Sequence, residues 1–307
     1  MLWDLNMISA QVFAPIVIVL GSIGNLVGLK VISNKKLKPI GPTRVFICMF
    51  ILDCFYLPLI FHPYMANAFN INVTAMSNVA CKAYWYARYS IAIISPMMNV
   101  YISVERFISI TYPAQKFYLQ KKGIQIIYIL VIILLNFLFA VPIALGFELQ
   151  FAEISNQSVI FFCDFGNLYW QNVAGSIDMT TRVIIPAALM VVFSVLISAS
   201  ILKSRFKIAT INANNASLRK DIRFSIVSIC LNLFYILFSL PVSVVVLLKD
   251  YSGNQYYIPF SFLFFVAYCA NFYLMLGFNK LFRRTFLEIF FKSCMKSNNR
   301  FENRHNN

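Results

Sequence analysis

The chain has 307 residues, of which 60% are hydrophobic and only 12% are charged. Its 26 Lys and Arg residues outnumber its 11 Asp and Glu residues, which gives a formal net charge of +15. Soluble domains carry about 25% charged residues, so a soluble enzyme, a nucleic-acid-binding domain and a disordered tail are all poor fits. Lipid is the remaining solvent for the apolar side chains, and we predict an all-α membrane protein.

Seven apolar runs follow one another along the chain, and each is long enough to cross a bilayer as a helix. Runs such as 131–135 lack the alternation of polar and apolar residues that a membrane β-barrel requires. We number the runs span one to span seven, with the predicted bounds Ala10–Ile32, Pro42–Ala66, Val79–Ile110, Ile124–Phe147, Thr181–Leu202, Asp221–Leu248 and Tyr257–Asn279.

The basic residues predict the orientation of these spans. All but four of the 26 lie in the segments that follow spans one, three, five and seven, or in the adjoining helix ends. The exceptions are Lys82, Arg88, Arg182 and Lys249. Because basic residues concentrate on the cytoplasmic side of a membrane, the amino terminus is predicted to be extracellular. This distribution explains the positive charge without a nucleic-acid partner.

Tryptophans and glycosylation motifs agree with that orientation. Trp3, Trp85 and Trp170 all fall on the predicted outer side, where indole rings favour the lipid headgroups. Asn72 and Asn156 each begin an Asn-x-Ser/Thr motif in an outer segment, so both are predicted glycosylation sites.

Two of the seven cysteines, Cys81 and Cys163, lie on the outer, oxidising side, and we predict a disulfide between them. It would tie the top of span three to a long outer loop, residues 148–177. Cys294 follows the last span, where it is either a palmitoylation site or a free thiol.

One acidic residue, Asp53, is predicted near the middle of the membrane, where an ionised side chain is costly. No Lys or Arg is expected at that depth, so its neighbours should be the neutral polar residues Asn25, Ser95 and Asn271. Two interpretations stay open: a structural polar network around a lone acid, and a cation site or protonation switch.

A second polar group lies at the inner end of span three. Arg106 can pair with Glu105 or reach Asp221, which opens span six at the same level. The second pairing would hold the inner ends of spans three and six together, and its rupture would open a crevice. The alternative is that Arg106 extends to the lipid headgroups.

The outer ends of spans three, five and seven supply the candidate ligand-binding residues. Arg88 has aromatic neighbours, an arrangement that suits an acidic or carbonyl-bearing ligand. The alternative is an ion pair with Glu148, Asp164 or Asp178. The full candidate set is Tyr84, Trp85, Arg88, Tyr89, Asp178, Arg182 and Tyr257.

The order and spacing of these features resemble those of the rhodopsin-like (class A) G-protein-coupled receptors over about residues 12–291. The matching residues are Gly24-Asn25, Asp53, Cys81, Glu105-Arg106-Phe107, Tyr112-Pro113, Cys163, Pro186, Leu240-Pro241, Asn271 and the stretch 278–284.

The chain departs from that family at several switch positions. Ser239 replaces the usual tryptophan two residues before the span-six proline, and the span-seven motif lacks its proline and its tyrosine, which is Met275 here. The span-four tryptophan and span-five tyrosine are also missing. Residues 221–224 and 278–284 are similar to nematode serpentine chemoreceptors, the x-class among them.

The resemblance implies an organisation along the chain. Residues 1–9 form a short extracellular terminus, 10–279 the seven-helix domain, 280–291 an amphipathic helix on the membrane surface, and 292–307 a disordered cytoplasmic tail.

The resemblance also implies a function: an extracellular ligand binds in the outer bundle and a heterotrimeric G protein is activated inside, in a chemosensory role at the plasma membrane or a sensory cilium. The basic residues Arg205, Lys207, Arg219 and Lys220 would line the docking crevice.

Two alternatives remain. A neuropeptide receptor would use the outer acids Glu148, Glu153 and Asp164 to meet cationic groups. A seven-helix transporter or channel is the other, although no similarity links the two halves of the chain. The sequence shows no catalytic or phosphate-binding motif, and we expect no enzymatic activity, cofactor or metal.

Overall fold

The computed structural model describes residues 12–37, 41–69, 72–112, 114–155, 158–210, 216–247 and 257–291. Within these ranges, seven helices are long and apolar enough to cross a membrane, which confirms the seven predicted spans. The predicted extracellular terminus, 1–9, and the predicted tail, 292–307, lie outside the described residues.

The helices follow the predicted order, and several spans consist of more than one element. Their bounds are α1 Ala14–Ile32 (span one), α2 Thr43–Phe69 (span two), α3 Asn78–Ala92 and α4 Ile94–Thr111 (span three), the short α5 Lys116–Leu119, α6 Lys122–Gly146 (span four), α7 Leu168–Asp178 and α8 Ile185–Thr210 (span five), α9 Ala216–Leu247 (span six), α10 Tyr257–Phe278 (span seven), and α11 at 280–291.

The segment predicted as a long outer loop is largely ordered. Strands β1 (Phe147–Ser155) and β2 (Ser158–Phe165) form an antiparallel hairpin. Helix α7 then begins at Leu168, because the Asn167 side chain accepts the Trp170 backbone N–H at 3.0 Å and caps its first turn. Span five is therefore longer at its outer end than predicted, and the outer loop is correspondingly shorter.

Span three is the central element of the bundle. It packs against spans two, four, five and six. In an apolar stretch of 18 residues within it, 72% of the residues are buried inside the protein, against 22% in the corresponding stretch of span four, whose Leu130, Leu134 and Leu138 are exposed. A span that carries charged side chains is stable in a membrane only if the protein surrounds them.

Helix α11 follows span seven after a single residue. Asn279 caps it, since its side-chain oxygen accepts the backbone N–H groups of Leu281 and Phe282, both at 3.1 Å. Phe282 is fully buried against Phe272 of span seven, with the ring centroids 6.0 Å apart. This contact fixes the start of α11 against the inner end of the bundle.

We call the end of the bundle that carries Cys81 the outer end and the end that carries Arg106 the inner end.

Candidate functional site

The outer end of span three is joined to the hairpin by a disulfide. Cys81 and Cys163 are bonded, with their Cα atoms 5.6 Å apart, which confirms the predicted pairing. Beside it, the Trp85 ring stacks on Phe147 with the ring centroids 4.3 Å apart. Phe147 in turn contacts Phe165 on the facing strand, at 4.0 Å between centroids. The hairpin is therefore anchored over the outer end of span three.

Tyrosine hydroxyls form hydrogen bonds between spans, and their acceptors are backbone carbonyls that lie four residues before a proline. Pro96 has no backbone N–H, so the carbonyl of Ala92, four residues earlier, loses its helical partner. The helix breaks there, between α3 and α4. The Tyr268 hydroxyl of span seven donates to that carbonyl at 2.8 Å. A backbone group that would be unsatisfied in lipid thus becomes a contact between spans three and seven.

Two further ties of this kind surround the outer end. Pro186 cannot donate to the carbonyl of Arg182, four residues earlier, and the Tyr235 hydroxyl of span six donates to that carbonyl at 2.6 Å. The Tyr84 hydroxyl of span three donates to the carbonyl of Leu59, four residues before a proline in span two. Together the three tyrosines link spans two, three, five, six and seven.

Between these ties lies a group of charged and aromatic side chains that we call the outer cluster, made up of Tyr56, His62, Tyr84, Trp85, Arg88, Tyr89, Asp178, Arg182, Tyr235, Phe264 and Tyr268. Arg182 forms an ion pair with Asp178, one helical turn earlier. The Arg182 guanidinium also lies over the Phe264 ring, 4.9 Å from its centroid, and Arg88 lies over Trp85 at 4.6 Å.

Several polar atoms of the outer cluster have no hydrogen-bond partner among the described residues. They are buried, and they include both donors and acceptors: the two ring nitrogens of His62, Trp85 Nε1, Arg182 Nε and Asp178 Oδ1. Buried polar atoms are normally satisfied, so an unsatisfied group of this size calls for a physical explanation.

The structure brings most of the predicted ligand-binding residues together. Of the three acids considered as partners of Arg88, Asp178 is close enough to interact electrostatically with it. Glu148 and Asp164 are exposed on the hairpin. Tyr257 begins α10, and its side chain lies outside the described part of the chain.

Sequence reasoning missed the tyrosines Tyr56, Tyr235 and Tyr268 and the ring of Phe264. The signal was available for the tyrosines, because a hydroxyl within an apolar span needs an acceptor.

The predicted mid-membrane network forms around Asp53, which is 1% exposed. Asn271 donates to its carboxylate at 2.9 Å, and Ser95 also interacts with it. Asn25 departs from the prediction, because its amide points to the carbonyl of Tyr268, at 3.4 Å, rather than to Asp53. Ser95 and Asn271 also line a cavity of about 10 Å³, enough for about one water molecule.

At the inner end, Arg106 is enclosed by the protein. It is 2% exposed and forms an ion pair with Glu105, which is fully buried. Glu105 also accepts hydrogen bonds from Gln120 at 2.7 Å and from Ser109 at 3.1 Å. The alternative in which Arg106 extends to the headgroups is therefore wrong, because this side chain is buried among its partners.

Asp221 of span six has a closer partner than Arg106. The ammonium of Lys116, in α5, lies 2.8 and 2.9 Å from its two carboxylate oxygens, whereas the nearest Arg106 nitrogen is 3.9 Å away. The contact between spans three and six is therefore made in part through α5. Sequence reasoning missed Lys116, because a lysine in an inner loop is already expected from the membrane topology.

A neutral hydrogen-bond network lies between the two ends. The Asn232 amide of span six donates to Ser103 of span three at 2.8 Å and to Ser194 of span five at 2.9 Å. Ser228 lies 3.1 Å from Ser103. Spans three, five and six are thus connected by polar contacts close to the inner end.

The predicted modification and metal sites have mixed outcomes. Asn72 is exposed, and its side-chain oxygen accepts the Thr74 hydroxyl at 2.6 Å. Asn156 lies outside the described residues. Among the residues searched, which are the described ones, no group of three His, Cys, Asp or Glu could hold a metal ion.

A family model described as "7 transmembrane receptor (rhodopsin family)" matches residues 24–273. No curated protein matches the chain.

Proposed function

Because the chain belongs to the rhodopsin family of seven-transmembrane receptors, we propose that it binds an extracellular ligand in the outer cluster and activates a heterotrimeric G protein at its inner end. It is a multi-pass membrane protein, and we place it in the plasma membrane with its amino terminus outside. The proposal includes glycosylation at Asn72 and Asn156.

One observation carries this proposal: span three connects an incompletely bonded outer cluster to a charged contact at its inner end. Cys81 and Arg106 are 25 residues apart, which corresponds to roughly 37 Å of helix. Arg88 contributes to the outer cluster, and Arg106 contacts Glu105 and Asp221. A ligand that shifts span three relative to spans five and six can therefore change the inner contacts.

The mechanism is a shift between two arrangements of the bundle. A ligand that binds one arrangement more tightly raises its population by that difference in affinity. In the active arrangement, Asp221 leaves Lys116 and Arg106, and the inner ends of spans three and six separate. The G protein docks between them, with the basic residues Arg205 and Lys207 of span five at the rim.

The Asp53 network fits either of its two predicted roles. Its second carboxylate oxygen, Oδ1, has no hydrogen-bond partner among the described residues, so it is available to a cation or a proton. We propose that occupancy there differs between the two arrangements. Helix α11, with Phe290 and Phe291 exposed, would lie along the inner membrane surface as the predicted amphipathic helix.

We propose a chemosensory role, in sensory cilia, on the basis of the narrower sequence resemblance. A neuropeptide ligand is the second candidate, because Glu148 and Asp164 face each other across the hairpin and are both exposed. Two adjacent carboxylates on the outer surface would attract a cationic peptide.

The experiment is to express the full chain with a panel of heterotrimeric G proteins and to apply volatile, small polar and peptide stimuli. Stimulus-dependent nucleotide exchange that requires Arg106 is the expected result. Ion or solute flux across the membrane without nucleotide exchange would contradict the proposal and favour a transporter or channel. Expression in sensory neurons supports the chemosensory role, and expression in muscle argues for the neuropeptide role.

A further inference from the structure

We propose that Asn232 of span six forms a second lock of the resting arrangement, which has to open before the inner ends of spans three and six can separate. This lock rests on the proposed function, because it adds an uncharged residue to the same switch.

Asn232 connects span six to two other spans at once. Its side chain is fully buried, and its amide nitrogen donates to Ser103 of span three at 2.8 Å and to Ser194 of span five at 2.9 Å. Both serines are buried as well. An asparagine amide has two N–H donors, and here each goes to a different helix. Spans three and five therefore stay close to span six at this level as long as both hydrogen bonds persist.

The Ser103 hydroxyl is saturated, which makes it the centre of the lock. Its single proton goes to the carbonyl of Asn99, in its own span, at 2.9 Å. The Ser228 hydroxyl, 3.1 Å away and one turn before Asn232, is therefore the donor to Ser103. Span six thus donates to Ser103 twice, and both lone pairs of the Ser103 oxygen are used.

The lock lies on the part of span six that moves when its inner end swings outward. Pro241 lies inside this helix, and helices bend most readily at a proline. Asn232 is nine residues inward of Pro241, roughly 13 Å along the helix, and Asp221 is eleven residues further inward. In span three, Ser103 lies one turn outward of Arg106. A bend at Pro241 that opens the inner end therefore also draws Asn232 away from Ser103.

The alternative is that these hydrogen bonds hold the helices together in every arrangement of the bundle. Polar side chains commonly connect membrane helices in this way. The two interpretations differ in one measurable respect. Hydrogen bonds that exist only in the resting arrangement bias the equilibrium between the two arrangements, whereas hydrogen bonds that exist in both leave that equilibrium unchanged.

Asn232→Leu is the sharpest variant, because leucine keeps the branched shape of the side chain and leaves no donor without a partner. Ser103 still donates to Asn99 and accepts from Ser228, and Ser194 loses only the N–H that its oxygen accepts. The substitution also removes Asn232 Oδ1, a buried atom that has no hydrogen-bond partner among the described residues. We therefore expect the variant to fold.

The test measures basal nucleotide exchange driven by the full chain in lipid nanodiscs, with no stimulus added. Asn232→Leu should raise the exchange rate by about tenfold, which corresponds to about 1.4 kcal/mol for two hydrogen bonds between membrane helices. Asn232→Ala removes the same hydrogen bonds with a smaller side chain, so an equal rise assigns the effect to bonding and not to volume. Ser194→Ala removes one of the two acceptors and should raise the rate by about threefold.

Matched controls come from buried polar residues that bond within their own span. The Asn136 amide of span four donates at 2.6 Å to the carbonyl of Ile132, and the Ser243 hydroxyl of span six donates at 2.7 Å to the carbonyl of Ser239. Asn136→Leu, Asn136→Ala and Ser243→Ala should leave basal exchange at the wild-type rate.

A second measurement does not depend on a G protein. Spin labels at the exposed positions Tyr112→Cys and Arg223→Cys report the distance between the inner ends of spans three and six. Asn232→Leu should shift population toward a longer distance, and Asn136→Leu should not. Should Asn232→Leu fail to fold, Ser194→Ala, which deletes a single oxygen atom, provides the same test.

Two outcomes overturn the lock: the distance distribution of Asn232→Leu matches that of the wild type, or Asn136→Leu shifts it as much. Wild-type basal exchange in both Asn232 variants, beside a wild type that responds to a stimulus, also overturns it. The proposed function fails separately, when neither the wild type nor any variant drives nucleotide exchange, and the distance measurement still decides whether the lock exists.

Discussion

Both ends of the helix bundle contain an arginine paired with an acid, but the side chain of Arg106 is 2% exposed and that of Arg182 is 15% exposed, and their surroundings differ. At the inner end, the carboxylate beside Arg106 is also bonded to Gln120 and Ser109. At the outer end, Arg182 meets Asp178 through one nitrogen and one oxygen, and neighbouring donors have no described partner.

This difference indicates which end is more fully bonded without a ligand. An unsatisfied buried donor costs about 1–3 kcal/mol, so the outer cluster gains stability when an acceptor binds. At the inner end, the Glu105 carboxylate already has Arg106, Gln120 and Ser109 as partners, so it gains less from a new one. A receptor that rests inactive needs this asymmetry, because its ligand must stabilise the outer end enough to open the inner one.

The largest effect should come from breaking the inner cluster at Arg106. Arg106→Ala leaves Glu105 buried without its cation, which we expect to cost about 3–5 kcal/mol of stability. It should also abolish nucleotide exchange by the G protein while surface delivery, followed by an amino-terminal tag, persists. Arg44→Ala is a control at another inner arginine, whose guanidinium makes a long 3.4 Å contact to Gln125. Nucleotide exchange at the wild-type rate by Arg106→Ala would remove the role assigned to this residue.

The next effect concerns the disulfide, which shapes the outer end. Cys81→Ser and Cys163→Ser should each lower stability by about 2–5 kcal/mol, because the bond closes a long loop in the unfolded chain. The double variant should be no worse than either single one, since both remove the same bond. Thermal unfolding and peptide mapping by mass spectrometry provide the check. A different partner for Cys81 would refute the assignment.

A smaller effect is expected at the contact between spans three and six. Asp221→Asn should raise basal nucleotide exchange several-fold, because it weakens the attraction to both Lys116 and Arg106. Lys116→Met should reproduce most of that rise, since Lys116 is the closer partner of Asp221, at 2.8 Å. If Asp221→Asn raises basal nucleotide exchange and Lys116→Met does not, the contact between Lys116 of α5 and Asp221 is not part of the switch. Basal activity unchanged in both variants would argue against the contact as a whole.

The smallest predicted effect tests the tyrosine ties around the outer cluster. Tyr268→Phe removes the hydroxyl that donates to the carbonyl of Ala92, four residues before Pro96. We expect the free energy of unfolding to fall by about 1–2 kcal/mol. Tyr128→Phe is the matched control, because its hydroxyl bonds at 2.8 Å to the carbonyl of Met97, which no proline deprives of its helical donor. The control should lose about 0.5 kcal/mol. Equal losses on thermal unfolding would show that prolines do not strengthen these bonds.

How far the sequence predicted this fold depends on the strength of each signal. The seven spans and the disulfide followed from hydropathy and from the sidedness of the cysteines, which local composition determines. The outer hairpin was missed although the signal was present. In residues 147–151, Phe147, Leu149 and Phe151 alternate with polar residues, which is a strand pattern. The pattern is short and lies between two spans, so it is easily overlooked.

The sites were predicted less completely, because their partners come from distant parts of the chain. Asp53 and Asn271 are 218 residues apart, and only the packed bundle brings them within 2.9 Å. The hydrogen bonds of the tyrosines depend on which hydroxyl faces which of the carbonyls that lie four residues before a proline. That choice is set by the rotation of each helix, which residue spacing along one span does not determine.

The most direct test of the account measures the distance between the inner ends of spans three and six. Spin labels at Tyr112→Cys and Arg223→Cys suit pulsed electron resonance, because both positions are exposed. The account predicts one short distance in the resting receptor. A longer distance should gain population when a nucleotide-free G protein binds, and also in the Asp221→Asn background. A single distribution that neither the G protein nor Asp221→Asn changes would contradict it.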